Sequence, residues 1–415
     1  MSNQGLRRFH MGCCVGRGGF GEVYQAEMAG PGGLTRTIAV KLLRRDVGAD
    51  TEALRRLRDE ARLLAWIRHP VVVRGFDLVR LDGRIGLVTE FVEGEDLIGI
   101  LRGEHRMPLR PLLQVLSDLA SALGAAWSAT GHDGRPLRIV HRDVKPTNVR
   151  IGRHGEVKLL DFGIARFTDA AREARTDSDV VIGSIPYMAP ERFVERTTTP
   201  AADVYGLGCL LYEGLGGRRF HEDGRLQIVS ALALDAARSS VHLEERLWQL
   251  PPVAPPIAEL LRSCLAHDPV LRPPPGQLAA DVAALAESSV GPSLRRWCRD
   301  RPWKVGRPRT ATLEGQVLVE APLVLDPPPS AVGTDLTKTP RVGRPIGTLD
   351  PGVVEGLRPP PRTRRRAPRP RVGRDAPSAG LVAASVAMGC FVVGLAGTAA
   401  ALAATLAGFA LLAAS

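Results

Sequence analysis

Residues 139–148 read IVHRDVKPTN, an apolar pair followed at once by His141, Arg142, Asp143, Lys145 and Asn148. Solvated loops rarely mix these side chains so densely, and a fold that holds such a loop must bury the apolar pair while turning the polar groups toward a shared space. Downstream, LLDFGIAR supplies a second carboxylate, Asp161. Two carboxylates and the Asn148 amide oxygen are hard ligands of the kind that suit Mg2+ or Mn2+. Taken singly, an Asp in such a stretch is most simply a turn residue.

Two further stretches bear on that reading. VGRGGFGEV (15–23) spaces Gly16, Gly18 and Gly21 as dinucleotide-binding loops do. There the glycines lead from a strand into a helix, whereas here another strand-like run, EVYQAEM, follows. The loop is therefore expected to be a β-hairpin turn whose backbone amides can approach phosphates closely; an ordinary glycine-rich hairpin is the plainer alternative. IAVK (38–41) sets Lys41 in a strand pattern among apolar neighbours. It is either a solvated surface lysine or an ammonium that needs anionic partners, with Glu60 on the next predicted helix one candidate and phosphates another. Asp50 suits an N-cap for that helix, and Leu54, Leu57, Ala61 and Leu64 fall on one face. VVVRGFDLV and RIGLVTEFV then read as strands, and from about residue 109 helical stripes dominate. A small β-rich lobe followed by a larger helical lobe, an α+β arrangement over about 9–285, is the expected fold.

Taken in order, the glycine loop, IAVK, HRDVKPTN, DFG, PYMAPE (186–191) and DVYGLG (203–208) resemble the signature set of eukaryotic-like protein serine/threonine kinases of the bacterial type. The resemblance covers 9–285 and implies the bilobal kinase fold, ATP with Mg2+ as cofactors, and protein Ser/Thr hydroxyls as acceptors. It implies that the loop Val15, Gly16, Arg17, Gly18, Gly19, Phe20 and Gly21 covers the nucleotide. Val15, Val23 and Ala39 would then roof the adenine. Lys41 would hold the α- and β-phosphates and pair with Glu60, and Thr89 would be the gatekeeper before a hinge from Glu90 to Val92. Asp143 would orient the attacking hydroxyl and accept its proton, Lys145 would neutralise the γ-phosphoryl group, and Asn148 and Asp161 would hold the metal. Lys145 and Ser184 are the serine/threonine form, with the Ser184 hydroxyl bonding toward Asp143; Ile185 stands where the family places a proline. The resemblance also implies an ion pair between Glu191 and Arg272, a loop-holding role for Asp203, and an Arg142 that meets phosphate on the segment containing Thr168, Thr176 and Ser178. A pseudokinase would lack Lys41, Asp143 or Asp161, and all three are present.

The rest of the chain reads differently. The net charge of +11 sits almost wholly in residues 286–379, with 18 Lys/Arg against 9 Asp/Glu, so the globular part is nearly neutral and gives no reason to expect a nucleic-acid partner. That segment is rich in Pro and Arg and repeats Val-Gly-Arg at 305, 342 and 372. It is expected to be a disordered juxtamembrane linker, with a short piece around Trp297 and Trp303 able to dock back. Residues 380–415 hold no charged side chain. The expectation is a transmembrane segment over 380–414, as one tilted span or as a hairpin broken near Gly394–Gly397. Eight arginines between 358 and 374 would keep the kinase domain cytoplasmic, at the face of a cell membrane. No signal peptide is expected, since no charged stretch followed by a short apolar run stands at residues 1–30. The lipid bilayer is thus an expected partner, as is a homodimer for autophosphorylation in trans, with small residues such as Gly397 and Ala401 suited to helix packing. Six scattered cysteines suggest neither a disulfide framework nor a zinc site; the adjacent Cys13 and Cys14 are either a redox pair or two small residues in a strand.

Overall fold

The structure, a computed structural model, describes residues 7–18, 21–30, 33–45, 52–162, 183–194, 199–222, 226–303 and 312–321. The chain divides into two units, Met1–Pro329 and Ser330–Ser415, and every described residue lies in the first. The expected membrane segment 380–414, Gly19, Phe20, Asp50, Thr168, Thr176 and Ser178 lie outside the described residues. Among the described residues no helix is long and apolar enough to cross a membrane.

The N-terminal lobe is built on β1 (Arg8–Gly18), β2 (Gly21–Ala29), β3 (Thr35–Leu43), β4 (Gly75–Leu81) and β5 (Arg84–Glu90), all antiparallel. Strand alternation divides labour along β3. Ile38, Val40 and Leu42 are buried in a core shared with Phe9, Tyr24 and Val88, so Ala39 and Lys41 face the other way, into the cleft. The turn between β1 and β2 closes with Gly18 opposite Gly21. At Gly21 an added Cβ would lie 2.0 Å from the Leu42 carbonyl oxygen, so no other residue fits. Cys13 and Cys14 are free thiols in β1, Cys14 buried and Cys13 half-buried. Helix α1 (Glu52–Trp66) buries Leu54, Leu57 and Leu64 against the sheet, as its periodicity predicts.

Beyond the hinge come the short strands β6 (Gly94–Asp96), β7 (Val149–Gly152) and β8 (Val157–Leu159), which form a second sheet, and the helices α2 (Leu97–Leu101) and α3 (Leu109–Ser128). The helical lobe continues with α4 (Glu191–Val194), α5 (Pro200–Gly216), α6 (Leu226–Ala233), α7 (Ala236–Trp248), α8 (Pro255–Cys264) and α9 (Pro275–Ser288). Helix α5 is buried on nearly every side. Pro200 starts it, and Gly217, at φ +68° with its amide on the Glu213 carbonyl at 2.7 Å, ends it.

Of the segment 286–379 expected to be a disordered linker, residues 286–303 and 312–321 are folded, and the remainder lies outside the described residues. Helix α10 (Leu294–Asp300) packs on α3 through Leu294, Trp297 and Cys298, and its Ser293 side chain accepts the Arg296 amide as an N-cap. Arg301 lies between the rings of Trp297 and Trp303, 4.8 and 4.5 Å from their centroids, and pairs with Glu95 at 2.9 Å. The piece around the two tryptophans therefore docks, as its aromatics suggest. The chain then returns to the opposite lobe. Strand β9 (Val317–Val319) adds to the outer edge of β1, giving the sheet order β4-β5-β3-β2-β1-β9. Leu313 is buried in the N-lobe core, and the Arg7 guanidinium holds the Glu320 carboxylate with two bonds of 2.7 Å. A mean composition of Pro and Arg hides these short apolar runs, which fold because a ready edge and core await them.

Candidate active site

The cleft between the sheet and the helical lobe encloses a cavity of about 210 Å³. Val15, Gly16, Val23, Ala39, Lys41, Glu60, Thr89, Glu90, Val92 and Asp161 line it, so most of the residues expected to hold the nucleotide converge there. Arg17 and Gly18 lie in the β1 end of the hairpin, where Arg17 pairs with Glu22 at 3.1 Å. Val73, Leu87 and Leu160, which no sequence motif marks, complete the apolar wall, and Arg150, equally unmarked, fixes the hinge. Arg150 donates to the carbonyls of Val92 (2.7 Å) and Gly94 (2.8 Å) and to Asp96 (2.8 Å). Glu90 is held from two sides, by Lys158 at 2.6 Å and by the Arg74 amide at 2.8 Å.

Lys41 is no surface lysine. Its ammonium lies 3.2 Å from Glu60 and 2.7 Å from Asp161. Burial works against the charged amine, but Asp161 and Glu60 outweigh it and hold Lys41 above its ordinary range. Burial pushes the Glu60 carboxyl up to about 7; Lys41 pulls against that rise and Asp161 adds to it. For Asp161 burial again opposes ionisation, yet Lys41 prevails and keeps the carboxyl below its ordinary value.

The polar loop adjoins this cavity: Thr147 lines it, and the amide of Leu160, the residue before Asp161, donates to the Asn148 carbonyl at 2.8 Å. Asp143 pairs with Lys145 at 2.8 Å, and the Lys145 ammonium donates to the Ser184 hydroxyl at 2.7 Å. Ser184 thus reaches Asp143 through Lys145. Asn148 donates its amide to the Asp143 carboxylate at 3.0 Å and to its carbonyl at 2.9 Å, which leaves the Asn148 amide oxygen as an acceptor. That oxygen and the Asp161 carboxylate are hard donors of the kind Mg2+ takes, so the residues fit the ion. Among the described residues no group of three His, Cys, Asp or Glu gathers as an independent metal site.

The loop is held from beneath. Buried Asp203 accepts the amides of His141 at 2.8 Å and Arg142 at 2.7 Å, while the His141 ring meets the Leu160 carbonyl at 3.0 Å. Arg272 and Glu191 form a two-bonded pair of 2.7 and 2.9 Å, as the resemblance implies. Glu213, which sequence reasoning missed, is buried and receives bonds from Tyr187 and Arg102.

Comparison with known proteins agrees with this geometry. Residues 9–282 match the family model described as the protein kinase domain. Serine/threonine-protein kinase PknA of Mycobacterium tuberculosis is 35% identical over 292 residues, which cover 69% of this chain and 62% of the relative. Serine/threonine-protein kinase pkn2 of Myxococcus xanthus is 35% identical over 293 residues, 68% of this chain and 33% of the relative. Tyrosine-protein kinase MasK of the same organism is 32% identical over 273 residues, 65% of this chain and 41% of the relative. The chain thus spans less than two thirds of the length of these relatives. A family match running through both lobes, with its glycine hairpin, strand lysine and polar loop arranged about one cleft, means that the chain belongs to the protein kinase domain family.

Proposed function

We propose that this chain is an ATP-dependent protein serine/threonine kinase that transfers the γ-phosphoryl group of ATP to protein hydroxyls. The observation that carries the reading is the joining of two clusters: Lys41, Glu60 and Asp161 in the cleft, and Asp143, Lys145 and Asn148 in the loop tied to it where the Leu160 amide donates to the Asn148 carbonyl at 2.8 Å. Phosphoryl transfer needs positioning and charge neutralisation more than covalent chemistry. Glu60 holds Lys41 where the α- and β-phosphates would lie. Asp143 orients the acceptor hydroxyl and takes its proton as the oxygen bonds to the γ-phosphorus and ADP departs. Lys145, already paired with Asp143, supplies positive charge to the migrating group. Asp161 and Asn148 would hold Mg2+ or Mn2+, which supplies further neutralisation of the phosphates when bound. The Lys145–Ser184 contact supports Ser/Thr rather than Tyr acceptors. A pseudokinase reading is disfavoured because every chemical group is present. The test is labelled-phosphate transfer from Mg2+-ATP to a protein acceptor, with Asp143→Asn as control and phosphoamino-acid analysis of the product.

The same proposal includes a membrane anchor at 380–414, supported by its uncharged composition and the eight arginines before it, which would leave the kinase domain cytoplasmic. Anchoring would raise local concentration and favour autophosphorylation in trans, at Thr176 or Ser178. Equal activation rates for the full chain in bilayers and for a chain ending at 329, at matched bulk concentration, would rule that out.

A further inference from the structure

Asp143 follows a residue in an unusual conformation. Arg142 has φ +72°, a left-handed backbone that non-glycine residues seldom adopt. A peptide plane next to such a residue needs its polar ends held, or it can rotate and carry the next side chain with it. The holders can be named. The Asp143 amide donates to His141 Nδ1 at 3.3 Å, and Asp203 takes the two preceding amides. The carbonyl of Arg142, the other end of the plane that presents Asp143, accepts from the guanidinium of Arg192.

Arg192 is well mounted for this. It lies in α4, directly after Glu191, whose carboxylate is locked to buried Arg272. It also lines the small recess beneath the loop together with Arg142, Asp143 and Asp203. Its place has an electrostatic cost: burial, and then Arg192 itself, bring the Arg142 guanidinium down to about 10, with Asp203 opposing.

We propose that Arg192 is a positioning residue for phosphoryl transfer, fixing the 142–143 peptide plane so that the Asp143 carboxylate faces the acceptor hydroxyl. This rests on the kinase reading above. It differs from the role of Asp203, which holds amides, because Arg192 holds the carbonyl, and a donor there is the requirement rather than a charge.

The test compares Arg192→Met, Arg192→Gln and Arg192→Lys in the full chain, with dephosphorylated casein as acceptor and thermal unfolding measured alongside. In Arg192→Met, kcat should fall about 10- to 100-fold with KM for ATP nearly unchanged, the cost of misplacing one reacting group. Gln and Lys, which each keep a donor, should recover most of that loss at an unfolding temperature matching the Met variant. Wild-type kcat in Arg192→Met overturns the proposal. So does a loss shared equally by Met, Gln and Lys that follows their unfolding temperatures, which would make Arg192 a prop for α4. A wild-type chain that transfers no phosphate sinks the kinase reading and this inference with it, whereas an active wild type with an unaffected Met variant sinks this inference alone.

Discussion

At the scale of single residues, the Lys41 ammonium, 2.7 Å from Asp161 and 3.2 Å from Glu60, sets the charge balance of the cleft. Lys41, Asp143, Lys145, Asn148 and Asp161 stand out in the sequence because polar side chains beside apolar runs demand partners, and the structure supplies them within 2.7–3.2 Å. Arg150, Lys158, Arg192 and Glu213 stayed hidden because nothing local marks them; their roles arise from contacts tens of residues away. Lys41→Met is expected to lower phosphoryl transfer by about 100-fold or more in steady-state assays while the chain stays folded. Glu60 brings a pH dependence. Burial raises its carboxyl toward about 7 against the pull of Lys41, so as pH falls it gains a proton and its hold on Lys41 weakens. Nucleotide affinity measured by calorimetry should therefore fall as pH drops from 8 to 6, by roughly three- to tenfold, and Glu60→Gln should flatten the dependence. The effect on folding runs oppositely: the folded state holds this proton more tightly, so Glu60 disfavours folding increasingly as pH rises from 4.5 toward 7.

At the scale of elements, long periodic segments were readable, and α1, α3 and α5 lie where their apolar stripes place them. The small sheet of β6, β7 and β8 was not, because strands of three or four residues carry too little pattern to distinguish from loop. Two buried devices tie the helices together. Arg272 is fully enclosed with Glu191, so Arg272→Ala should cost about 3–5 kcal/mol in denaturant unfolding by stranding a buried carboxylate. His221 sits between α5 and α7, its ring 2.9 Å from the Tyr205 hydroxyl and stacked on His242. Burial, with help from His242 and Arg246, brings it down to about 3. The folded state therefore refuses a proton that the unfolded chain accepts below pH 6.5, and stability from this group is lost as pH falls from 6.5 toward 3. The stability difference between wild type and His221→Phe should shift across that window by up to about 1.4 kcal/mol per pH unit.

At the scale of the whole molecule, the described fold runs past the family match to residue 321, with β9 and Leu313 built into the N-lobe. Composition averaged over the linker concealed this, since one buried leucine and a three-residue strand barely alter it. Leu313→Ala should destabilise the kinase domain by about 2–5 kcal/mol, and a chain ending at 303 should melt below one ending at 329. Equal melting would mean that the returning segment adds nothing to the lobe it touches. Whether the cleft transfers phosphate is read from labelled phosphate passed from Mg2+-ATP to a protein acceptor by the purified chain. Phosphoserine and phosphothreonine should form with the wild type and fall at least about a hundredfold with Asp143→Asn. Label that is equal in both, confined to tyrosine, or missing from the wild type would contradict the serine/threonine kinase reading.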